Sequence, residues 1–166
     1  MSLAQYEKHD APHPLDVVEK MAAGLGWSFE REVDDEICVT VSGGWSDYHI
    51  AFTWLPGIEA LHLGCSFDLK IPDRRRAEAL ALVSLINEQM WVGHFGLWEQ
   101  QNLVIYRHSI LLPGGAQPGE AQCEALLEAA ISACERYYQA FQFVIWAGRG
   151  AREALDAASF ETEGEA

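Results

Sequence analysis

The 166-residue sequence predicts an α+β fold in which a mostly antiparallel sheet of about six strands packs with three helices. Two observations carry this. The elements run helix, four strands, helix, two strands, helix, without the strict strand–helix alternation that a parallel doubly wound sheet requires. The links between successive strands are also short turns, which join antiparallel neighbours. One domain is expected over residues 14–150, between a polar extension at 1–13 and an acidic, disordered tail at 151–166.

The first helix is read over residues 16–25, where Leu15, Val18, Met21, Ala22 and Leu25 recur near helical spacing. Pro14 stands at its start, where a missing N–H costs least. Four segments of period two follow, at 28–33, 36–42, 48–55 and 61–70. Asp34-Asp35, Gly43-Gly44 and Pro56-Gly57 punctuate them as turns. The fourth alternates most cleanly, with Leu61, Leu63, Cys65, Phe67 and Leu69 on one side and His62, Gly64, Ser66 and Asp68 on the other. The third carries bulk on both sides, which predicts a central strand or one covered on its second face.

The second helix is expected from Asp73, as N-cap, to about Trp91. Its stripe of Leu80, Val83, Ile86, Asn87, Met90 and Trp91 is widened by Leu82 and Leu85, so more than one side should be covered. Residues 94–99 and 103–112 read as a hairpin around Gln100-Gln101-Asn102, with His94 opposite His108 or Ile110. The last helix spans 119–146, with Leu127, Ile131, Cys134, Tyr138, Phe141 and Ile145 on one face. The tail after Gly150, with Arg152 against five carboxylates, is expected to fray beyond Phe160.

Eleven Lys and Arg against 25 Asp and Glu give a net charge of −14. The longest basic run is Arg74-Arg75-Arg76, so the positive footprint that phosphate contacts require is missing, and neither nucleic acid nor an anionic membrane is an expected partner. With 49% hydrophobic residues the chain can fill a core, yet no window approaches the ~20 apolar residues of a membrane span. The polar start, with Glu7, Lys8, His9 and Asp10, is unlike a signal peptide. A cytoplasmic protein is expected. Cys38, Cys65, Cys123 and Cys134 form no C-x-x-C pair and read as reduced thiols, with Cys38 on the more polar side of its strand.

Four stretches stand out as words: Ile71-Pro72-Asp73-Arg74-Arg75-Arg76, Leu85-Ile86-Asn87-Glu88-Gln89, Val92-Gly93-His94-Phe95 and Tyr106-Arg107-His108-Ser109. In this order, from about Leu15 to Trp146, the chain resembles the YbjN family of bacterial sensory transduction regulators. The resemblance implies a fold similar to type III secretion chaperones, often homodimeric. It implies no catalytic residue and no cofactor.

No residue pattern supplies chemistry either. Gly43-Gly44, Pro113-Gly114-Gly115 and Gly148-Arg149-Gly150 match neither a P-loop nor a dinucleotide fingerprint. His49 and His62, as cross-strand neighbours, are the best start for a metal site, but helical ligand spacings are absent and single hydrogen bonds are the simpler role. Asp34-Asp35-Glu36 and Asp47 are carboxylates of solvated turns. Arg107 is expected to pair with Glu88 or Glu99, and Asn87 to satisfy backbone groups at the end of its helix. The reading is a non-enzymatic homodimer that binds a polypeptide, preferably basic, through its sheet face, a sheet edge or a helix-lined groove, with Trp45 and Trp98 reaching the partner. The competing reading is a small-molecule sensor or enzyme whose pocket lies between sheet and helices, with His94, Tyr106, Arg107 and His108 as its polar groups.

Overall fold

A computed structural model describes residues 12–164; most of the extension expected at 1–13, and residues 165–166, lie outside them. Six strands, β1 (Phe29–Val33), β2 (Glu36–Ser42), β3 (Asp47–Leu55), β4 (Ala60–Lys70), β5 (His94–Trp98) and β6 (Leu103–Leu111), form one antiparallel sheet in the order β1-β2-β3-β4-β6-β5. Four α-helices accompany it: α1 (Pro14–Gly24), α2 (Arg76–Gln89), α3 (Glu120–Ile145) and α4 (Ala151–Gly164). The expected fold class is the observed one, with one helix more.

Alternation along each strand sends one set of side chains into the helix layer. From β2 to β6 these include Ile37, Val39, Tyr48, Ile50, Phe52, Leu63, Cys65, Phe67 and Tyr106, all buried. The long helix α3 answers with Cys134, Tyr137, Tyr138, Phe141 and Val144. The rings interlock edge to face: Phe67 meets Tyr138 at 5.1 Å, and Phe95 meets Tyr106 at 5.6 Å and Tyr137 at 5.9 Å between centroids. Such pairs add about 0.5–1.5 kcal/mol each beyond simple burial. Glu135 then reaches the β2–β3 turn, where its Oε1 accepts from the Gly44 N–H at 2.7 Å. A Cβ on Gly43 would fall 2.0 Å from the Tyr48 ring, so this turn has no room for a side chain there.

The start of α1 is closed by His13, whose Nδ1 accepts from the Leu15 N–H while Asp16 accepts from the His13 N–H. At α2 the expected cap is replaced. Asp73–Arg75 forms a 3-10 turn that leads into the helix, and Asp73 makes no capping hydrogen bond. The helix ends at Gln89, and Trp91, counted above in its buried stripe, is 99% exposed.

The largest departure lies at the carboxyl end. The tail expected to be disordered is α4, which packs on α2 and α3 with Ala151, Ala154, Leu155 and Ala158 buried. These four sit at spacings of three, one and three, a helical stripe whose small residues the acidic composition conceals. Two side chains of one turn make the corner. Arg75 donates to the Val144 and Arg149 carbonyls at 2.7 and 2.6 Å, and Glu78 accepts from the Ala151 N–H at 2.9 Å. A guanidinium thus satisfies the carboxyl end of α3, and a carboxylate satisfies the amino end of α4, each complementing a helix dipole. Leu155→Ala should therefore cost about 2–4 kcal/mol in urea unfolding, whereas a free tail would leave the midpoint unmoved.

Candidate functional site

All four helices lie on one side of the sheet, and among the described residues nothing covers the opposite face. Its residues follow from the register: Cys38 stands opposite Ala51, Ala51 opposite Gly64, and Gly64 opposite Arg107. This row crosses β2, β3, β4 and β6, with Thr53, His62 and Ser109 forming a second row beside it. Small side chains at the centre make the face concave. Gly64 is buried and Ser66 is only 8% exposed although no helix covers them. The result is a trough of about 500 Å³, floored by Ala51, Gly64, Ser66 and Ile105 and flanked by Trp98 and Arg107. The composition of β4 held a signal for this, since the side away from the helices alternates His62, Gly64 and Ser66, two of which are too small to fill the space above the strand.

The two ends of the trough differ in charge. At the β1–β2 end Glu30, Glu32 and Glu36 gather around Cys38 in a recess of about 210 Å³ that joins the trough through Glu36 and Cys38. Burial and then these three carboxylates push the Cys38 thiol up, the opposite of what an activated thiolate needs. At the other end stand Arg107 and, opposite it on β5, His94. His62 lies between, its Nδ1 2.8 Å from the Ser109 hydroxyl. Burial, followed by the nearby charge of Arg107, lowers its pKa.

The expected site residues are divided. His94, Trp98 and Arg107 share the bare face, but Tyr106 belongs to the opposite one: it is fully buried and donates to the Val92 carbonyl at 3.3 Å. Its hydroxyl is pushed up to about 12 by burial. His108, opposite Leu63, also falls on the helix side, and burial lowers its pKa. The four polar groups of the competing pocket therefore do not converge. Alternation along β6 puts Arg107 on one face and Tyr106 and His108 on the other, and the hairpin register places His94 opposite Arg107, not His108 or Ile110. The loop holds four residues, Asn102 adopting φ 53°, and this moves the pairing from the expected one. Trp45 stacks on Tyr138 at 6.3 Å on the helix side, so it and Trp98 cannot grip one partner surface together.

His49 faces Ser66 and His62 faces Thr53. The two imidazoles thus stand four residues apart along the sheet, roughly 13 Å, and are not the cross-strand neighbours expected. No group of three metal-ligating side chains occurs among the described residues. Arg107 pairs with neither Glu88 nor Glu99 among those residues; the helix-to-hairpin ion pair joins Arg76 to Glu99 at 2.5 Å instead. Cys65 and Cys134 meet in the core, 3.6 Å apart.

Both sheet edges are guarded. On β5 the Asn87 side chain donates to the Phe95 carbonyl at 3.0 Å and accepts from the Phe95 N–H at 2.8 Å. It occupies the backbone groups that an incoming strand would need. Gly93 beside it has φ +67°, and a Cβ there would fall 2.1 Å from the Tyr106 hydroxyl. The words Asn87-Glu88, Gly93-His94-Phe95 and Tyr106-Arg107 thereby come together at one structural node. On the other side, the register of β1 shifts between Glu30 and Val33, and Arg31 ties the strand to α1 through Asp16 and Glu19 at 3.0 and 2.9 Å.

These features define an α+β protein with a one-sided helix layer, closed edges and a concave bare sheet face. The chain belongs to the YbjN family: the family model, described as "Putative bacterial sensory transduction regulator", matches residues 14–143. Among solved structures, YbjN from E. coli, described as a putative transcription regulator, is similar at TM-score 0.55 and 12% identity, over 89% of this chain and 93% of that one. The ExsC–ExsE complex matches at TM-score 0.47 and 18% identity, over 74% of this chain and 88% of that one. No curated protein gives a significant match. No helix among the described residues is long and apolar enough to cross a membrane.

Two outcomes follow from the electrostatics. Because the folded-state pKa values of His62 and His108 lie below 6.5, both rings are neutral at pH 7. The stability they contribute is complete above about pH 6.5 and is lost as the pH falls through the lowered values. In an NMR titration the His62 ring should have its midpoint below 6.5, and Arg107→Ala should move that midpoint upward. With a thiol reagent at pH 8 the native protein should present one reactive cysteine, Cys38, slower than a free thiol and accelerated by Glu36→Gln, because Cys65, Cys123 and Cys134 are buried.

Proposed function

We propose that this chain is a non-catalytic adaptor that holds a polypeptide partner in the trough on its bare sheet face, acting as a cytoplasmic homodimer in bacterial regulation. The burial of Gly64 and Ser66 on a face that no other described residue covers carries this reading. It is a preformed concave surface with an apolar floor and polar walls, the usual anatomy of a recognition site. Membership of a regulator family agrees with it. Acidic residues at one end favour a partner with basic groups. The fully exposed Trp91 and half-exposed Val92, beside the guarded β5 edge, offer apolar contact for a second copy.

Edge addition, one of the binding modes considered from sequence, is disfavoured by Asn87 on β5 and by the irregular, glutamate-bearing β1. The Ser109 hydroxyl meets the His62 ring at 2.8 Å, but no carboxylate among the described residues is bonded to the far side of that ring to orient it as a base, which gives nucleophilic chemistry little support.

Filling the trough tests the proposal. Wild-type protein and Ala51→Trp, each checked for folding by circular dichroism, would be cross-linked in lysate of the source bacterium and the captured chains identified by mass spectrometry. A polypeptide captured by wild type should be lost by at least tenfold with Ala51→Trp. Equal capture by both proteins would remove the trough from the binding surface. A metabolite that raises the melting temperature of wild type alone, with no polypeptide captured, would favour the small-molecule reading.

A further inference from the structure

We infer that the occupant of the trough is a short amphipathic α-helix of a partner protein, laid across the strands with a basic amino-terminal turn over Glu30, Glu32 and Glu36 and an acidic carboxyl-terminal turn over Arg107 and His94. This rests on the adaptor reading and specifies its partner. The first argument is hydrogen bonding. On the face, the N–H and C=O groups of an extended segment would meet Ala51, Gly64 and Ile105 and lose water without gaining partners. A helix satisfies those groups internally and presents only side chains to the floor.

The second argument is size. About 500 Å³ accepts the three to four apolar side chains that a helix offers over two turns. The third is charge. Three strand spacings separate β2 from β6 and five separate β1 from β5, so the acidic recess and the cationic end lie about 14–24 Å apart. A helix rising 1.5 Å per residue spans this with roughly 10–16 residues. Its dipole has the same polarity as the trough, positive end on the glutamates and negative end on the arginine. No ion pair engages Glu30, Glu32 or Arg107 among the described residues, and Glu36 is bonded only by the Thr53 hydroxyl at 3.3 Å and the Cys38 thiol at 3.7 Å. The reversed helix would oppose both ends.

A second copy of this chain fits less well, since it would bring another concave face to the trough. The test is selection from a displayed library of 14-residue helical peptides, randomised at both terminal turns, on the full-length protein, with affinities read by fluorescence anisotropy. Selected peptides should carry Lys or Arg in the first turn and Asp or Glu in the last. Arg107→Glu, an exposed substitution that leaves folding intact, and Glu30→Lys/Glu32→Lys should each weaken binding at least tenfold. The combined triple variant should prefer peptides with the charges reversed. Selected helices without end-charge bias, or with affinities indifferent to these variants, would overturn the orientation. A failure to select any helix, while lysate capture remains sensitive to Ala51→Trp, would overturn the helical occupant and leave the adaptor reading standing. Dimers in light scattering that Ala51→Trp converts to monomers would assign the face to a second copy and overturn the inference.

Discussion

The bracket between Asn87 and Phe95 organises more of this molecule than any other polar contact. A single side-chain amide satisfies both backbone groups of an edge-strand residue, and in doing so joins the end of α2 to β5. The partly buried pair of bonds is worth more than its count suggests, because removing the amide would leave two backbone groups without partners. With the backbone of Phe95 fixed, its ring is set among Tyr106, Tyr137 and Phe141. The same contact closes the edge. One side-chain amide thus fixes both the β5 edge at Phe95 and the packing of the Phe95 ring.

The one-sided distribution of helices follows from the side chains available. α3 presents a broad aromatic surface over β4 and β6, and α1, α2 and α4 fill in around it. No apolar helix face remains for the other side of the sheet. That side carries polar residues in its rows, carboxylates at one margin, and Arg107 with His94 at the other. Its floor is apolar only where the residues are too small to project.

Much of this fold was legible because its strands alternate cleanly and their turns carry Asp, Gly and Pro. All six strands lie within a residue or two of where periodicity places them, and α1 and α3 do too. What escaped has physical reasons. The helix α4 is held by alanines and one leucine, whose low hydrophobicity is outweighed in the composition by five acidic neighbours. Its anchors, Arg75 and Glu78, are some 70 residues away in sequence. The hairpin pairing shifted because one more residue in the loop slides every opposite partner, and that moved His94 from the side of His108 to that of Arg107. The trough was least visible of all. A cavity made by Gly64, Ala51 and Ser66 is a deficit of atoms, and sequence patterns register the side chains present more readily than the space they leave.

The corner built by Arg75 and Glu78 gives the helix layer an uneven resistance to opening. α1, α2 and α3 are anchored by large apolar side chains inside the core, but α4 is held by one leucine, three alanines and a carboxylate–amide contact at its first residue. Its detachment exposes little apolar surface and leaves the sheet and its aromatic cluster intact. The most lightly held part of the helix layer is therefore its carboxyl end, whose detachment would uncover flanks of α2 and α3 on the side away from the trough.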